Sequence, residues 1–127
     1  MKKIVLGGSM QFRDTVKQTM LNLEKLGFEA LFPNINFSEQ YKDVAFTMEL
    51  KLRLAKDHYN AMESADAVYF ILPNGYMGTI CKIELGYAIA LKKPIYFSEL
   101  TNDIGLDCYP EKIISLENLE DFKKILA

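Results

Sequence analysis

The chain has little with which to bind a metal or cross-link itself: two cysteines, Cys81 and Cys108, and a single histidine, His58, among 127 residues. The cysteines have neither the spacing of a metal site nor that of a redox pair. No cluster of histidine, cysteine and aspartate has ligand spacing, and no Ser-His-Asp set stands out. No metal and no cofactor are expected, and the thiols read as reduced, in a cytoplasmic protein. Long apolar runs are missing too. The run after Met1-Lys2-Lys3 stops at Gly7-Gly8, too short for a signal peptide or a membrane span, so no membrane partner is expected. Like charges form no block, and a net charge of −2 disfavours a nucleic acid as partner. Neither G-x-G-x-x-G nor a Walker lysine is present, which argues against dinucleotides and nucleoside triphosphates. There is no repeat, low-complexity tract or linker, so residues 1–127 read as one domain.

Half the residues are apolar and a quarter charged, as in an ordinary globule. Short apolar runs alternate with helical patterns along the chain. Lys3-Ile4-Val5-Leu6 reads as a buried strand closed by Gly7-Gly8-Ser9. Phe12 to Leu26 has apolar residues at helical spacing and stops at Gly27, a good C-cap. Phe28 to Phe32 is a second strand, followed by an irregular stretch from Asn34 to Lys42 that could reach over a site. A long helix is predicted from about Val44 to Ser64 and a central strand from Asp66 to Leu72. Thr79 is a good N-cap for the next helix, which ends at Lys92-Lys93-Pro94. Pro94 to Phe97 gives a fourth strand, Lys112 to Ile114 a weak fifth, and Leu116 to Leu126 a closing helix.

This order predicts an α/β fold: a flavodoxin-like or Rossmann-like three-layer sandwich with a five-stranded, mostly parallel sheet in the order 2-1-3-4-5. Ligands in such sheets bind beyond the carboxyl ends of the strands, where the winding direction reverses. Here that crevice falls between the first and third strands, so Gly7-Gly8-Ser9 and Asn74 to Thr79 should face each other across it.

Gly7-Gly8-Ser9-Met10, with Phe12 beyond, lets backbone approach a ligand and offers N–H donors and a hydroxyl; it equally suits a tight turn with Ser9 as N-cap. In Asn74-Gly75-Tyr76-Met77-Gly78-Thr79, Tyr76 could pack on a base or ribose and Asn74 could hydrogen-bond it. The plainer reading is an Asn-Gly turn.

Glu84 is the most informative residue. Its helical neighbours Ile80, Cys81, Tyr87 and Ala88 cannot neutralise it, and burying an unpaired carboxylate costs about 3 kcal/mol or more. Its side chain should point toward the amino end of its helix and the cleft mouth, where a carboxylate can attack or stabilise a cationic sugar carbon. A structural carboxylate capped by loop N–H groups is the alternative. His58 also lies on an apolar face, among Leu54, Ala55, Ala61 and Met62. It is either a core histidine or one that reaches the cleft. Asp57, near Arg53 and Asn60, reads as solvated or ion-paired.

Gly8-Ser9, Ser64-Ala65-Asp66-Ala67-Val68 and Gly75-Tyr76-Met77-Gly78-Thr79 leading to Glu84-Leu85-Gly86-Tyr87-Ala88 resemble the nucleoside 2-deoxyribosyltransferase family, which includes hydrolases of nucleoside monophosphates. The resemblance spans residues 3–97, and its most specific part is the Glu84 segment. It implies an enzyme that cleaves or transfers at the N-glycosidic bond of a (deoxy)nucleoside or nucleoside monophosphate. Glu84 would be the nucleophile, and Gly8 and Ser9 would contact sugar or phosphate. Gly7, Met10, Phe12, Asn74, Gly75, Tyr76, Gly78 and Thr79 complete the substrate-binding candidates.

The family often places an aspartate where this chain has His58. That departure leaves the general acid open between a histidine acid, a different leaving group and another activity. Gln11 replaces a basic side chain in the first loop, with Arg13 close by. The resemblance further implies a homo-oligomer, dimer or tetramer, whose neighbouring subunit helps close the site through residues 34–42 or Cys108-Tyr109. A non-catalytic nucleoside- or nucleotide-binding or sensing module is the alternative, with Glu84 holding a ribose hydroxyl. A flavin carrier is disfavoured by the short first loop.

Overall fold

The computed structural model describes residues 1–36 and 47–126. Five strands, β1 (Lys3–Gly7), β2 (Glu29–Leu31), β3 (Ala67–Phe70), β4 (Ile95–Phe97) and β5 (Lys112–Ile113), form one sheet in the order β2-β1-β3-β4-β5. All four pairings are parallel. The helices are α1 (Arg13–Lys25), α2 (Met48–Ser64), α3 (Thr79–Ala90), α4 (Ile104–Asp107) and α5 (Asp121–Ile125).

Side chains alternate faces along a strand, and here both faces are apolar. Ile4, Leu6, Tyr69, Ile71 and Tyr96 pack on one side with Val16 and Leu23 of α1 and Phe122 of α5. Val5, Val68, Phe70, Leu72 and Phe97 pack on the other with Met62 of α2 and Leu85 and Ala88 of α3. Phe122 anchors the closing segment by meeting Phe28, Tyr69 and Tyr96 edge-on.

Local chemistry sets several boundaries. The carbonyls of Leu23 and Glu24 accept from Phe28 N–H and Gly27 N–H, and Gly27 takes φ +96°, so α1 closes in a Schellman turn. Thr47 caps α2 by accepting from Leu50 N–H at 3.1 Å. That cap has extended backbone angles and corrects the predicted start near Val44; residues 44–46 lie outside the described residues.

Two further expectations are corrected. The N-cap of α3 is Gly78, not Thr79, which is the first helical residue; no side chain caps this end. The segment from Leu116 is not one helix. A 3-10 turn at Leu116–Asn118 precedes the short α5, because Leu119 and Phe122 both turn into the core there. α4, which the sequence pattern did not predict, is capped by Asp103, whose side chain accepts from Gly105 N–H at 2.9 Å.

β1 is the switch point: β2 lies on one side of it and β3 on the other. The loops after β1 and β3 therefore leave the same sheet edge in opposite winding directions, opening a crevice between them.

Candidate functional site

That crevice holds a cavity of about 460 Å3 with four walls. The loop after β1 supplies Gly8, Ser9, Met10 and Gln11, and the end of β2 supplies Phe32, Pro33 and Asn34. Helix α2 presents Lys51, Leu54, Ala55 and His58, the i, i+3, i+4, i+7 stripe of a single helical face. Tyr76, Gly78, Thr79, Ile80, Cys81 and Glu84 close the fourth side.

Glu84 and His58 meet between these last two walls, each only 6% exposed. Nε2 of His58 lies 3.5 Å from Oε2 of Glu84, and His58 Nε2 has no hydrogen bond. Burial disfavours the charged form of each group. It pushes the Glu84 carboxyl up to about 8 and the His58 imidazole down to about 4. Between those pH values the pair holds one proton, on Glu84 in the neutral arrangement that burial favours. Phe32 packs its ring against that of His58, centroids 5.3 Å apart at 73°.

Cys81, one turn before Glu84, is buried on the same wall. Its thiol is pushed up to about 12, chiefly by burial and then by the Glu84 charge, against the opposing hydrogen bonds from the backbones of Gly78 and Gly8. Burial thus keeps it as the neutral thiol, between the two loops.

The cavity wall thus brings together Glu84, His58, Gly8, Ser9, Met10, Tyr76, Gly78 and Thr79. Ser9 also accepts from Gln11 N–H at 3.3 Å, so its hydroxyl has a capping role as well. Four predicted substrate-binding residues lie off the wall, for reasons internal to the fold. A Cβ on Gly7 would come within 2.5 Å of the Phe70 ring, so that glycine makes room for the core. Asn74 and Gly75 both have positive φ and build the turn, and a Cβ on Gly75 would strike Leu100 O at 2.7 Å. Phe12 meets the Tyr76 ring edge-on at 6.1 Å and supports the wall from behind.

Several wall residues were not among the sequence candidates: Phe32, Pro33 and Asn34 from the end of β2, and Lys51, Leu54 and Ala55 from α2. The α2 stripe was legible once His58 was placed on it, since the others precede it by seven, four and three residues. Phe32 and Pro33 looked like no more than a strand end; Asn34 opens the stretch expected to reach over a site and does line the cavity, while residues 37–42 of that stretch lie outside the described residues. Among the described residues no group of three or more histidine, cysteine, aspartate or glutamate side chains could hold a metal ion, and no helix is long and apolar enough to cross a membrane.

No family model and no curated protein matches the sequence. Solved structures do. The chain superposes with a TM-score of 0.72 on a 2-deoxyribosyltransferase from Bacillus psychrosaccharolyticus, at 20% identity over 94% of this chain and 90% of that one. A CMP N-glycosidase from Clostridium botulinum gives 0.59 at 18% identity, covering 98% of this chain and 99% of that one. A conserved protein from Enterococcus faecalis gives 0.62 at 15% identity, covering 96% and 99%. The two proteins of named activity are of the kinds that the Glu84 segment resembles, and the fold of this chain is theirs.

Proposed function

We propose that this chain belongs to the nucleoside 2-deoxyribosyltransferase family and cleaves or transfers at the N-glycosidic bond of a (deoxy)nucleoside or nucleoside monophosphate. One observation carries the reading: a buried carboxylate and a buried imidazole, 3.5 Å apart, on the wall of a cavity large enough for a nucleoside. The fold shared with a deoxyribosyltransferase and an N-glycosidase supports it.

Glu84 attacks the anomeric carbon as the carbon–nitrogen bond breaks through an oxocarbenium-like state, leaving a glycosyl ester on the carboxylate. The proton that the pair holds makes both roles available at once: moved from Glu84 to His58, it creates the nucleophile and the acid. His58 gives that proton to the departing base. A water, or a second base in the transfer reaction, then attacks the anomeric carbon. Neutral His58 takes its proton and the Glu84 carboxylate is released. Ser9, Met10, Tyr76, Gly78 and Thr79 position the sugar. Association into a homo-oligomer accompanies this reading, supported by the exposed Ile80, Ile83 and Ile89 on α3.

The test is incubation with a panel of deoxynucleosides and their monophosphates, followed by chromatography for free base. Glu84→Gln should lower base release roughly a thousandfold while ligand still stabilises the protein. Unchanged release by that variant would remove the covalent mechanism. Thermal stabilisation by a nucleoside with no free base from the parent protein would make this a binding module instead.

A further inference from the structure

The wall nearest His58 contains a polar side chain with a defined direction. Asn34 lies on the cavity, and its Nδ2 donates to Asp57 Oδ2 at 2.9 Å. Phe32, two residues before Asn34, packs on the His58 ring, and all three line the cavity, so Asn34 belongs to the His58 side of it. Asn34 holds φ +64°, a left-handed backbone that asparagine tolerates better than most residues.

A primary amide can normally turn over, exchanging its oxygen and nitrogen at little cost. Here it cannot do so freely. A carboxylate accepts hydrogen bonds and does not donate them, so Asp57 requires the nitrogen on its side. Oδ1 and the second amide hydrogen are left as an ordered acceptor–donor pair. A base with an exocyclic amine beside an unprotonated ring nitrogen, as in adenine or cytosine, matches that pair: amine to Oδ1, ring nitrogen to the amide hydrogen. A base with a keto group beside a protonated ring nitrogen, as in hypoxanthine or uracil, offers the reverse order. Held in the same pose by its glycosidic bond, it would set its oxygen against Oδ1.

We propose that Asn34, locked by Asp57, makes this site selective for amino-bearing bases over their keto counterparts. The inference rests on the glycosidic reading above and specifies its substrate class. Asp57 is a positioning residue in this scheme, since it acts only through Asn34.

The experiment compares base release from 2′-deoxyadenosine with 2′-deoxyinosine, and from 2′-deoxycytidine with 2′-deoxyuridine, as nucleosides and as 5′-monophosphates. The parent protein should favour the amino member of at least one pair by about tenfold or more in kcat/KM. Asp57→Asn restores an amide partner that can donate as well as accept. Asn34 can then turn over, and the ratio should fall to within about threefold of unity. Asn34→Gly, which keeps the backbone angle and removes the amide, should do the same. Each ratio is taken on one protein sample, so a loss of folded fraction cancels.

A ratio near unity in the parent protein, a preference for the keto member, or an unchanged ratio in both variants would overturn the inference. If no base is released from any substrate, thermal stabilisation by free adenine, cytosine, hypoxanthine and uracil separates the two claims. Stabilisation by the amino bases alone would keep the selectivity and remove the reaction; equal or absent stabilisation would remove both.

Discussion

The ring of Phe32, at the end of β2, meets the imidazole of His58 on α2 edge-on, with centroids 5.3 Å apart. The edge of the sheet thereby holds the imidazole that faces Glu84. Phe32→Leu keeps the apolar volume but removes the ring edge that fixes the imidazole plane. It should lower kcat for base release by about tenfold with a smaller change in KM, as when a catalytic group is loosened rather than removed. Steady-state kinetics on a released base would show the split; an unchanged kcat would mean that His58 is held by other contacts.

His58 itself should matter in proportion to how badly the leaving base needs a proton. His58→Asn should slow release of an ordinary purine or pyrimidine by about a hundredfold or more. An N7-alkylated purine leaves as a neutral base without being protonated, so its release should be nearly unaffected. Equal losses on both substrates would deny His58 the role of acid.

Activity should peak between two limbs. Below about pH 4 His58 is protonated while Glu84 keeps its proton, and the carboxylate needed for attack is missing. Above about pH 8 the pair has lost its shared proton and no acid remains. A bell-shaped kcat/KM profile with apparent limbs near these values is expected, the two belonging to the pair rather than to either residue. A profile flat from pH 5 to 9 would contradict it.

Stability carries the same signature. Glu84 is raised from 4.5 to about 8 in the folded chain, which keeps a proton that the unfolded chain releases. Its contribution therefore falls as pH rises across that interval. His58 is lowered from 6.5 to about 4, so its contribution falls as pH drops across that interval. The two oppose each other between about 4.5 and 6.5. From about pH 6.5 to 8 the Glu84 contribution outweighs the last of the His58 one, and unfolding free energy should drop by roughly 1 kcal/mol. Urea unfolding at pH 6.5 and 8 should show that drop in the parent protein and lose it in Glu84→Gln.

Two glycines should respond oppositely to alanine. Gly7→Ala drives a methyl to 2.5 Å from the Phe70 ring and should destabilise by about 1–3 kcal/mol. Gly86 lies within α3, and a Cβ there would meet nothing within 4 Å, so Gly86→Ala should stabilise by about 0.5–1 kcal/mol through helix propensity. Chemical unfolding of the two variants is the check. A destabilising Gly86→Ala would place another surface against that side of α3.

The strand order, the crevice between β1 and β3 and the identity of Glu84 as an anomalous carboxylate were legible in the chain. Strand alternation and helical spacing are local periodicities, and a buried acid among Ile80, Cys81, Tyr87 and Ala88 is conspicuous in any register. The same local signals did not separate Gly7, Phe12 and residues 74–75, which lie off the cavity wall, from the residues that line it. A glycine that admits a ligand and one that admits Phe70 or Leu100 look alike until their neighbours are known. Thr79 likewise looked like a cap, but Gly78 takes that position and Thr79 is already helical.

Periodicity and composition were enough to specify a doubly covered parallel sheet and one acid out of place, because those depend on contacts within a few residues of each position. The close approach of Glu84 to His58, 26 positions earlier, and the Asp57 bond to Asn34 arose only when α2 and the end of β2 closed over the same cavity. Distance through space between remote segments is set by packing of the whole core, and no local pattern encodes it.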